Sequence, residues 1–502
     1  MSTTTSTRLS NPWFTLVTIA IGAMMVSLDT TIVTVAQPVL QADLGASLTQ
    51  IQWMTNGYLL ALATLLITAG KLGDRFGHRT TYLVGTAGFV ATSVAIGLSH
   101  DIGWVLVFRV LQGVFGAVMQ PATLGLLRAV FPVDRMNMPI AVRSSVIAAS
   151  TAAGPIIGGL LAQHVSWQSV FFLNAPLGLL AIVLTLLVVR DRADQHVARR
   201  FDVLGVFLLC GALFTLIWGL TAASDHGWTN AGTVATLGAA VVLGTWFVLW
   251  EGRAADPLMP PGLWRSAPLS AGVVLMITMA FTMFGASFVF TFYLQNVLGL
   301  SPSRSGVVVL PLTVTMIVGA PLVALWMNRV GTRIPVVCGM LATSAATFGM
   351  AQLDARSSVL QIGLCFLVLG FGFSPVMIGA TKSIIGNAPP EYAGVAGGLQ
   401  QTAMQVGASL GTSALGAIVG SRVDAVLPGR LAEAGAPTLP DASDAVSVGR
   451  IPDVAGLPSD VAAKVAEAAH SSFVSGMSLT LTVACVVGLV GAAAGLLTRS
   501  GR

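Results

Sequence analysis

The stretch Gly70-Lys-Leu-Gly-Asp-Arg-Phe-Gly-His-Arg79 lies between two long apolar segments, and it decides the fold. Lysine and arginine accumulate in the short cytoplasmic loops of membrane proteins, which accounts well for Lys71 and Arg79. The same rule accounts poorly for Asp74, an acid among bases, and it does not explain why glycine recurs at positions 70, 73 and 77. The stretch therefore predicts a tight charged turn that does more than anchor the chain at a membrane surface.

The composition places the chain in a membrane. Of its 502 residues 55% are hydrophobic and 9% are charged, and the mean hydropathy is +0.84, unlike a soluble globular domain. Apolar runs of about 20 residues can cross a bilayer as helices, which satisfy their own backbone polar groups. We therefore predict an all-α integral membrane protein. Its fourteen spans are predicted at residues 13–37, 51–71, 80–99, 103–127, 138–163, 167–189, 203–222, 231–250, 268–292, 305–326, 334–352, 358–380, 393–420 and 474–496.

The distribution of basic residues predicts the orientation. If the N-terminus is cytoplasmic, the inner segments carry 18 of the 25 Lys and Arg residues, and the outer segments carry six, four of them in the long loop 421–473. Long loops hardly influence orientation, so both termini are expected to be cytoplasmic. The formal charge of +5 could suggest nucleic acid as a partner. We exclude that class because the bases are spread over many loops instead of forming one patch.

The second half of the chain repeats features of the first half. Asn328-Arg-Val-Gly-Thr-Arg333 is a weaker copy of Asp74-Arg-Phe-Gly-His-Arg79, and Gly116 and Gly370 each precede a proline by five residues. Internal repeats of this kind mark transporters whose two halves rock around a central site. The predicted domains are an N-terminal six-helix bundle (1–189), a cytoplasmic linker (190–202), an inserted helix pair (203–250), a second linker (251–267) and a C-terminal six-helix bundle (268–502) with an outer loop at 421–473.

Two charged side chains are predicted deep in the membrane, Asp29 in span 1 and Arg109 in span 4. At 1.5 Å per residue, Asp29 lies roughly 12 Å and Arg109 roughly 9 Å from the outer ends of their spans. Because an isolated charge in lipid is costly, a pair would lower the cost of burying both. Two interpretations stay open: a static ion pair that holds the spans together, and a protonatable acid whose pairing changes between transport states.

Span 5 contains the sequence Gly154-Pro-Ile-Ile-Gly-Gly159. Pro155 removes one backbone donor from the helix. Gly154 and Gly158 are four residues apart, so they open one helix face for close packing. From these residues alone, an ordinary tight helix crossing and a functional motif are equally good interpretations.

Several of these features resemble the major facilitator superfamily, and within it the fourteen-span drug:proton antiporters. The turn at 70–79 is similar to the signature loop after the second span of that superfamily. The sequences around Asp29 and Arg109 resemble motifs of its drug:proton antiporters. Gly154-Pro155 followed by Gly158-Gly159 resembles the motif that separates antiporters from importers. The resemblance implies two six-helix bundles with two inserted helices between them.

The resemblance also implies roles for particular residues. Asp29 and Arg109 would couple transport to protons. A charge relay in the turn would close the cytoplasmic side and release it as the halves rock. This conformational gate would consist of Gly70, Gly73, Asp74, Arg75, Gly77 and Arg79, and the antiporter motif of Gly154, Pro155, Gly158 and Gly159.

The sequence also limits the chemistry. No metal-ligand spacing, phosphate loop or catalytic constellation occurs, so we expect no catalytic residues, no metal and no cofactor, with the proton gradient as energy source. Spans 9–14 contain no deep acid, which favours neutral or singly charged hydrophobic substrates. Polar residues that could line a substrate cavity, but could equally be packing residues, are Gln37, Asn56, Gln112, Tyr293 and Gln401.

The expected function is proton-coupled export of hydrophobic drugs or antibiotics across the cytoplasmic membrane by alternating access. The expected partners are a small hydrophobic substrate, protons and the lipid bilayer, with the protein acting as a monomer, in a bacterium. One alternative is a proton-coupled carrier of a specific metabolite with the same fold. A second alternative, an integral-membrane enzyme or sensor, has no catalytic or signalling sequence to support it.

Overall fold

The structure, a computed structural model, describes residues 12–189, 202–436, 442–452 and 458–498. Within these ranges the regular elements are helices, and fourteen of them are long and apolar enough to cross a membrane, which confirms the predicted fold class. They are α1 (Pro12–Leu44), α2 (Leu48–Phe76), α3 (His78–Gly97), α4 (Ile102–Val130), α5 (Asn137–His164), α6 (Trp167–Val188), α7 (Val203–His226), α8 (Ala231–Glu251), α9 (Ala267–Phe292), α10 (Pro302–Val330), α11 (Arg333–Ala351), α12 (Val359–Asn387), α13 (Ala393–Glu433) and α14 (Ser459–Gly495).

A glycine with a positive φ lies at each of the two repeated turns. Gly77 lies between α2 and α3 with a φ of 88°, and Gly331 lies next to the junction of α10 and α11 with a φ of 82°. A residue with a Cβ is strained at such positive φ values, so glycine lets the chain reverse within a very short turn. The sequence repeat is therefore accompanied by a similar backbone at both turns.

Packing divides the helices into two bundles and an added pair. Helices α1–α6 pack mainly on one another, as do α9–α14, whereas α7 and α8 pair with each other and α7 also contacts α2 and α13. In each bundle, two glycines four residues apart bring helices close together. Gly154 and Gly158 of α5 lie against α1, and Gly407 and Gly411 of α13 lie against α9.

The apolar core shows how the two bundles meet. We call the end of the molecule with the α2–α3 and α10–α11 turns the basic end, and the other end the far end. At the basic end one buried cluster joins side chains of both bundles, among them Leu124 of α4 and Val395 of α13. Toward the far end the core divides into a cluster of N-terminal bundle residues around Ile32 and a cluster of C-terminal bundle residues around Phe290. The bundles are therefore joined at the basic end and have separate cores at the far end.

The segment predicted as an outer loop, 421–473, is largely helical in its described parts. Helix α13 continues to Glu433 and α14 begins at Ser459, so both extend well past the predicted spans. The physical reason is an apolar face that continues beyond the membrane, because side chains four residues apart on α13 are buried against α14. These side chains are Val423, Leu427 and Leu431.

Some predicted segments lie outside the described residues. Residues 190–201 of the linker predicted at 190–202 lie outside the described residues, and Asp202 is described. Asp202 caps the start of α7 and accepts a hydrogen bond from Trp250 Nε1 at 2.9 Å. The ranges 437–441 and 453–457 of the predicted outer loop also lie outside the described residues. The second linker, 251–267, is described throughout, and it lies at the basic end.

Candidate functional site: a buried carboxylate and the closed basic end

Asp29 lies at the centre of a buried hydrogen-bond network between α1, α4 and α6. Arg109 Nη1 donates to Asp29 Oδ2 at 2.7 Å. Gln112 Nε2 and Asn174 Nδ2 donate to the other carboxylate oxygen, Oδ1, at 3.1 and 3.0 Å. All four residues are buried. The two charges that the sequence places at similar depth therefore meet, and both carboxylate oxygens accept hydrogen bonds.

Arg109 is held from several sides. Its Nη1 also donates to Gln112 Oε1 at 2.6 Å, and its Nε donates to the Met54 carbonyl at 3.4 Å. The guanidinium carbon lies 4.2 Å from the centre of the Tyr58 ring, within the range of a cation–π interaction. Removing one partner of a buried ion pair costs about 3–5 kcal/mol, because the other charge is left uncompensated. Arg109 therefore depends on the Asp29 carboxylate as its counter-charge.

The local sequence explains how the network forms. Arg109 and Gln112 are three residues apart on α4, so they project from the same side of the helix. Helix α6 is interrupted at Leu173, and Asn174 is the first residue of the second helical piece. The Nδ2 atom of Asn174 also donates to Ser93 Oγ at 2.9 Å. Asn174 is not among the predicted site residues. An asparagine inside an apolar span is the signal that could have indicated it.

The glycines of the predicted antiporter motif lie against α1, directly after Asp29. A Cβ on Gly154 would collide with Thr31 Oγ1, and a Cβ on Gly158 would come within 2.9 Å of the Ile32 carbonyl oxygen. A Cβ on Gly159 would make only an ordinary van der Waals contact, and Pro155 is exposed. The motif therefore holds α5 close to the segment of α1 that carries the buried carboxylate.

At the basic end, Asp74 bonds to the opposite bundle. Its Oδ1 accepts a hydrogen bond from the Gly394 amide at 2.6 Å, and its Oδ2 accepts one from the Val395 amide at 2.9 Å. These amides belong to the first turn of α13, where backbone N–H groups have no partner within the helix and the helix dipole favours a negative charge. Asp74 of the N-terminal bundle therefore caps a helix of the C-terminal bundle.

The close approach of α2 and α13 depends on small residues. A Cβ on Gly70 would collide with the Gly394 carbonyl, and a Cβ on Gly398 would collide with the Leu66 carbonyl. Gly70 belongs to the predicted gate, whereas Gly394 and Gly398 do not. Their signal in the sequence was the run Gly394-Val-Ala-Gly-Gly398, whose spacing places small residues on one helix face.

The other predicted gate residues make contacts within the N-terminal bundle. Arg79 Nη2 donates to the Leu186 carbonyl at 3.5 Å, and the Arg75 guanidinium carbon lies 5.2 Å from the centre of the Phe76 ring. A Cβ on Gly73 would approach His78 Nδ1 to 2.8 Å. Among the predicted gate residues, Asp74 and Gly70 therefore contact the opposite bundle, and the contacts described here for Arg75, Arg79 and Gly73 lie within the N-terminal bundle.

Lys71 was interpreted from the sequence as a membrane anchor, but its ammonium group is buried. Nζ lies 3.2 Å from Asp256 Oδ1, donates to the Pro257 carbonyl at 2.8 Å and lies 5.4 Å from the centre of the Tyr392 ring. Asp256 belongs to the 251–267 linker, which follows the inserted pair. Sequence spacing gave no indication of this contact, because the two residues are far apart along the chain.

Three further polar contacts cross between the bundles on the basic side. Asn137 Nδ2 donates to Asn328 Oδ1 at 2.7 Å, at the start of α5 and the end of α10. Ser145 Oγ donates to the Ile317 carbonyl at 2.7 Å on the same two helices. Gln401 Nε2 of α13 donates to Gln120 Oε1 of α4 at 3.2 Å. Together with Asp74, these contacts hold the basic end closed.

Two deep charges were predicted in the spans, and the structure adds Arg143 as a third. It lies about two turns inside α5, is 2% exposed, and donates from Nη2 to Gln120 Oε1 at 3.0 Å. Arg143 is one of the 18 basic residues that the orientation prediction assigns to the inner segments. The prediction did not include its burial, which arises because α5 packs against helices of both bundles and Gln120 of α4 accepts its hydrogen bond.

Comparison with known proteins agrees with this architecture. The family profile described as Major Facilitator Superfamily matches residues 19–412. The chain belongs to this superfamily. It is 54% identical over 493 residues to the tetracenomycin C resistance and export protein of Streptomyces glaucescens, with 97% of this chain and 92% of that protein covered. It is 33% identical over 414 residues to a puromycin resistance protein of Streptomyces alboniger, with 81% of each chain covered.

A solved structure supports the same fold. The crystal structure of the human organic anion transporter MFSD10 (TETRAN) aligns with a TM-score of 0.62, covering 96% of this chain and 99% of that one. The sequences are 12% identical, so this similarity concerns the fold alone. The superfamily consists of membrane transporters, and the fourteen candidate spans make this chain a multi-pass membrane protein.

Within this major facilitator fold, the predicted cavity residues lie in different surroundings. Gln112 belongs to the Asp29 network, and Gln401 lies between the bundles against Gln120. Tyr293 is buried and its hydroxyl donates to the Asp354 carbonyl at 2.5 Å, so it fixes a loop at the far end. Gln37 Nε2 donates to Thr55 Oγ1 at 2.6 Å, and Asn56 is exposed one residue further along α2. The five residues therefore do not form one cluster.

Proposed function

We propose that this protein exports hydrophobic antibiotics in exchange for protons. Membership of the major facilitator superfamily supports transport, and the names of the tetracenomycin C and puromycin resistance relatives support antibiotics as the substrate class. Tetracenomycin C is the first compound to test. The presence of one buried acid in the network favours neutral or singly charged substrates over doubly charged cations.

The observation that carries proton coupling is the contact between Asp29 and Arg109. When Asp29 is ionised, the pair is neutral and α1 is bonded to α4. When Asp29 takes up a proton, Arg109 becomes an uncompensated buried cation, which is costly in a low-dielectric environment. The network then favours a different arrangement of α1 and α4. One proton moving down a potential of 100 mV supplies about 2.3 kcal/mol, comparable with the energy of such a rearrangement.

The packing of α1 offers a route from this network to the gate. Gly154 and Gly158 hold α5 against α1 next to Asp29, and α5 contacts α10 through Ser145 and Asn137. A displacement of α1 therefore acts on a helix that keeps the basic end closed. In the proposed cycle, a proton taken up from the far side moves the two bundles apart at the basic end, and substrate enters there.

Several further properties belong to this proposal. The basic end faces the cytoplasm, both termini are cytoplasmic, and the protein lies in the cytoplasmic membrane of a bacterium. It works as a monomer and uses no cofactor, because the proton gradient drives the cycle. Transport involves no covalent change in the substrate, so the protein is not an enzyme.

Inverted vesicles energised by respiration test the proposal. Adding tetracenomycin C should release protons from the acidic interior of vesicles that contain the wild-type protein, seen as dequenching of a pH-sensitive dye. The Asp29→Asn variant keeps the shape of the side chain but cannot carry the proton, so dequenching should disappear. Asp424→Asn, which neutralises an exposed acid on α13, should behave like wild type.

Two outcomes would contradict the proposal. Gradient-driven accumulation of drug by Asp29→Asn at the wild-type rate would remove Asp29 from the coupling. An absence of proton release with a panel of neutral and monocationic antibiotics would point to a dedicated metabolite carrier instead.

A further inference from the structure

The two bundles meet along two lateral seams, and the inserted pair covers one of them. On the α2–α13 side, α7 packs over both helices. Thr68 Oγ1 of α2 lies 3.6 Å from Cys210 Sγ of α7, and Ser413 Oγ of α13 donates to the Leu220 carbonyl of α7 at 2.6 Å. Helix α7 therefore bridges the seam between the bundles.

These contacts extend along the length of α7. Nearer the far end, the indole rings of Trp53 on α2 and Trp218 on α7 stack with centres 5.0 Å apart. Between this stack and Cys210, Leu60 and Ala63 of α2 are buried against Ile217 of α7. The middle of this face of α2 is therefore covered by α7, whereas Trp53 nearer the far end is stacked on Trp218 but 43% exposed.

The α5–α10 seam has a different construction. Its recorded polar contacts, Asn137 with Asn328 and Ser145 with the Ile317 carbonyl, lie toward the basic end. Beyond them the same helix faces become exposed. Steps of three or four residues from Ile317 reach Val314, Leu310 and Val307, and steps from Ser145 reach Ala149, Ile156 and Leu160. Exposure of the large apolar side chains in these two rows ranges from 49% at Leu310 to 67% at Ile156.

The exposed apolar rows of α5 and α10 lie in the half of the molecule where each bundle has its own buried core. The buried cluster that joins the bundles lies at the basic end, and each bundle has its own cluster at the far end. Within an apolar window of 18 residues in each span, 22% of the residues are buried in α5 and 28% in α10, compared with 61% in α2 and 33% in α13. The α5–α10 seam therefore has its polar contacts toward the basic end and two exposed apolar rows toward the far end.

We propose that the far half of the α5–α10 seam is the one lateral opening through which hydrophobic substrate passes between the central space and the membrane. The inserted pair closes the other seam, so passage is one-sided. The occupant is the membrane-dissolved, neutral or singly charged substrate of the proposed export function, on which this inference rests. The aliphatic walls suit a molecule that leaves along acyl chains, and a charged hydrophilic solute gains nothing from them.

Site-specific thiol modification tests the opening. In a background with Cys338, Cys365 and Cys485 replaced by alanine, single cysteines are introduced as Leu310→Cys, Ile156→Cys or, as a matched membrane-facing control on α8, Val241→Cys. Each is modified with a small methyl or a large pyrenyl reagent. We expect the pyrenyl group at Leu310→Cys or Ile156→Cys to slow export of tetracenomycin C at least tenfold, and the methyl group or the Val241→Cys adduct to change it less than twofold. Equal export with the pyrenyl group at all three positions would overturn the proposal.

A second readout does not depend on transport. Ala149 lies on the predicted opening, whereas Cys210 lies in the covered seam. A pyrenyl group on Ala149→Cys should be quenched by lipids brominated on their acyl chains, and Cys210 should resist modification by the same lipid-soluble reagent. An unquenched group at Ala149→Cys would show that acyl chains do not reach the seam and would overturn the opening. Absence of tetracenomycin C export before any modification would instead contradict the proposed function, and the quenching result would still decide the opening.

Discussion

The ammonium group of Lys71 lies 3.2 Å from a carboxylate oxygen of Asp256, in a contact that joins α2 to the linker after the inserted pair. Both side chains are mostly buried, with 6% and 14% exposed. The linker is itself held in place, because Glu251 accepts hydrogen bonds from the amides of Leu258 and Met259. The inserted helices are therefore attached to the closed basic end as well as to the α2–α13 seam.

Breaking this ion pair should loosen the basic end. In Asp256→Asn the buried ammonium loses its counter-charge, and the loss of one partner of a buried pair costs about 3–5 kcal/mol when burial is complete. We expect a smaller loss here, about 1–3 kcal/mol, because the carboxylate is partly exposed. The measurement is the thermal unfolding temperature in detergent, which should fall by several degrees.

A double variant separates the ion pair from other effects. Lys71→Met with Asp256→Leu removes both charges, so neither is left alone in the interior, and it should be more stable than either single variant. If the losses of the two single variants simply added in the double variant, the 3.2 Å contact would contribute nothing specific. Asp424→Asn provides the control for an exposed acid.

The sequence predicted the charged core of the site but could not predict how distant segments close over it. Asp29 and Arg109 could be paired from span depth, because helix rise converts residue number into position. Asp256 could not be assigned to Lys71, since nothing in local periodicity specifies where a linker folds back. Arg143 shows the same limit: its burial arises from contacts between bundles, which no single span reveals.

The close approach of α2 and α13 should depend on Gly398. Its replacement by alanine would drive a Cβ into the Leu66 carbonyl, and overpacking of this kind costs typically 1–3 kcal/mol. The penalty applies only while the basic end is closed, so Gly398→Ala should shift the population toward states that are open there. Spin labels at Arg135→Cys and Arg329→Cys, on opposite bundles at the basic end, should report longer distances in the variant.

Gly429→Ala is the matched control for that experiment. Gly429 belongs to the same helix, but a Cβ at its position would meet nothing within 4 Å. Distances between the labels should therefore stay at their wild-type values. An unchanged distance distribution in Gly398→Ala would show that the contact with Leu66 does not limit opening.

Asp74 should protect the first amides of α13 from exchange. It accepts hydrogen bonds from the Gly394 and Val395 amides, and loss of a side-chain cap costs about 0.5–2 kcal/mol. In Asp74→Ala, hydrogen exchange at these two amides should accelerate by roughly 2–30-fold, the equivalent of that free energy. Asp74→Asn should give an intermediate rate, because one acceptor oxygen remains while the charge that favours the helix terminus is lost.

The site also contains a residue that sequence reasoning missed for a physical reason. Gln112 was predicted as a residue that could line a substrate cavity, whereas Asn174, in a different span with no charged neighbour in sequence, was not predicted at all. Its contact with Asp29 depends on the interruption of α6 at Leu173, which changes where the second helical piece begins. A break of this kind within an apolar run leaves little trace in hydropathy.

Asn174 should stabilise the network more strongly with aspartate at position 29 than with asparagine there. Its amide donates to Asp29 Oδ1 at 3.0 Å and to Ser93 Oγ at 2.9 Å, so Asn174→Ala leaves a buried acceptor with one donor fewer, at a cost of about 1–3 kcal/mol. In an Asp29→Asn background the acceptor is no longer charged, and the same substitution should cost less. A double-mutant cycle on unfolding in detergent measures the difference. A cycle with no coupling energy would mean that Asn174 acts through Ser93 alone, and the carboxylate would then be held by Arg109 and Gln112 without it.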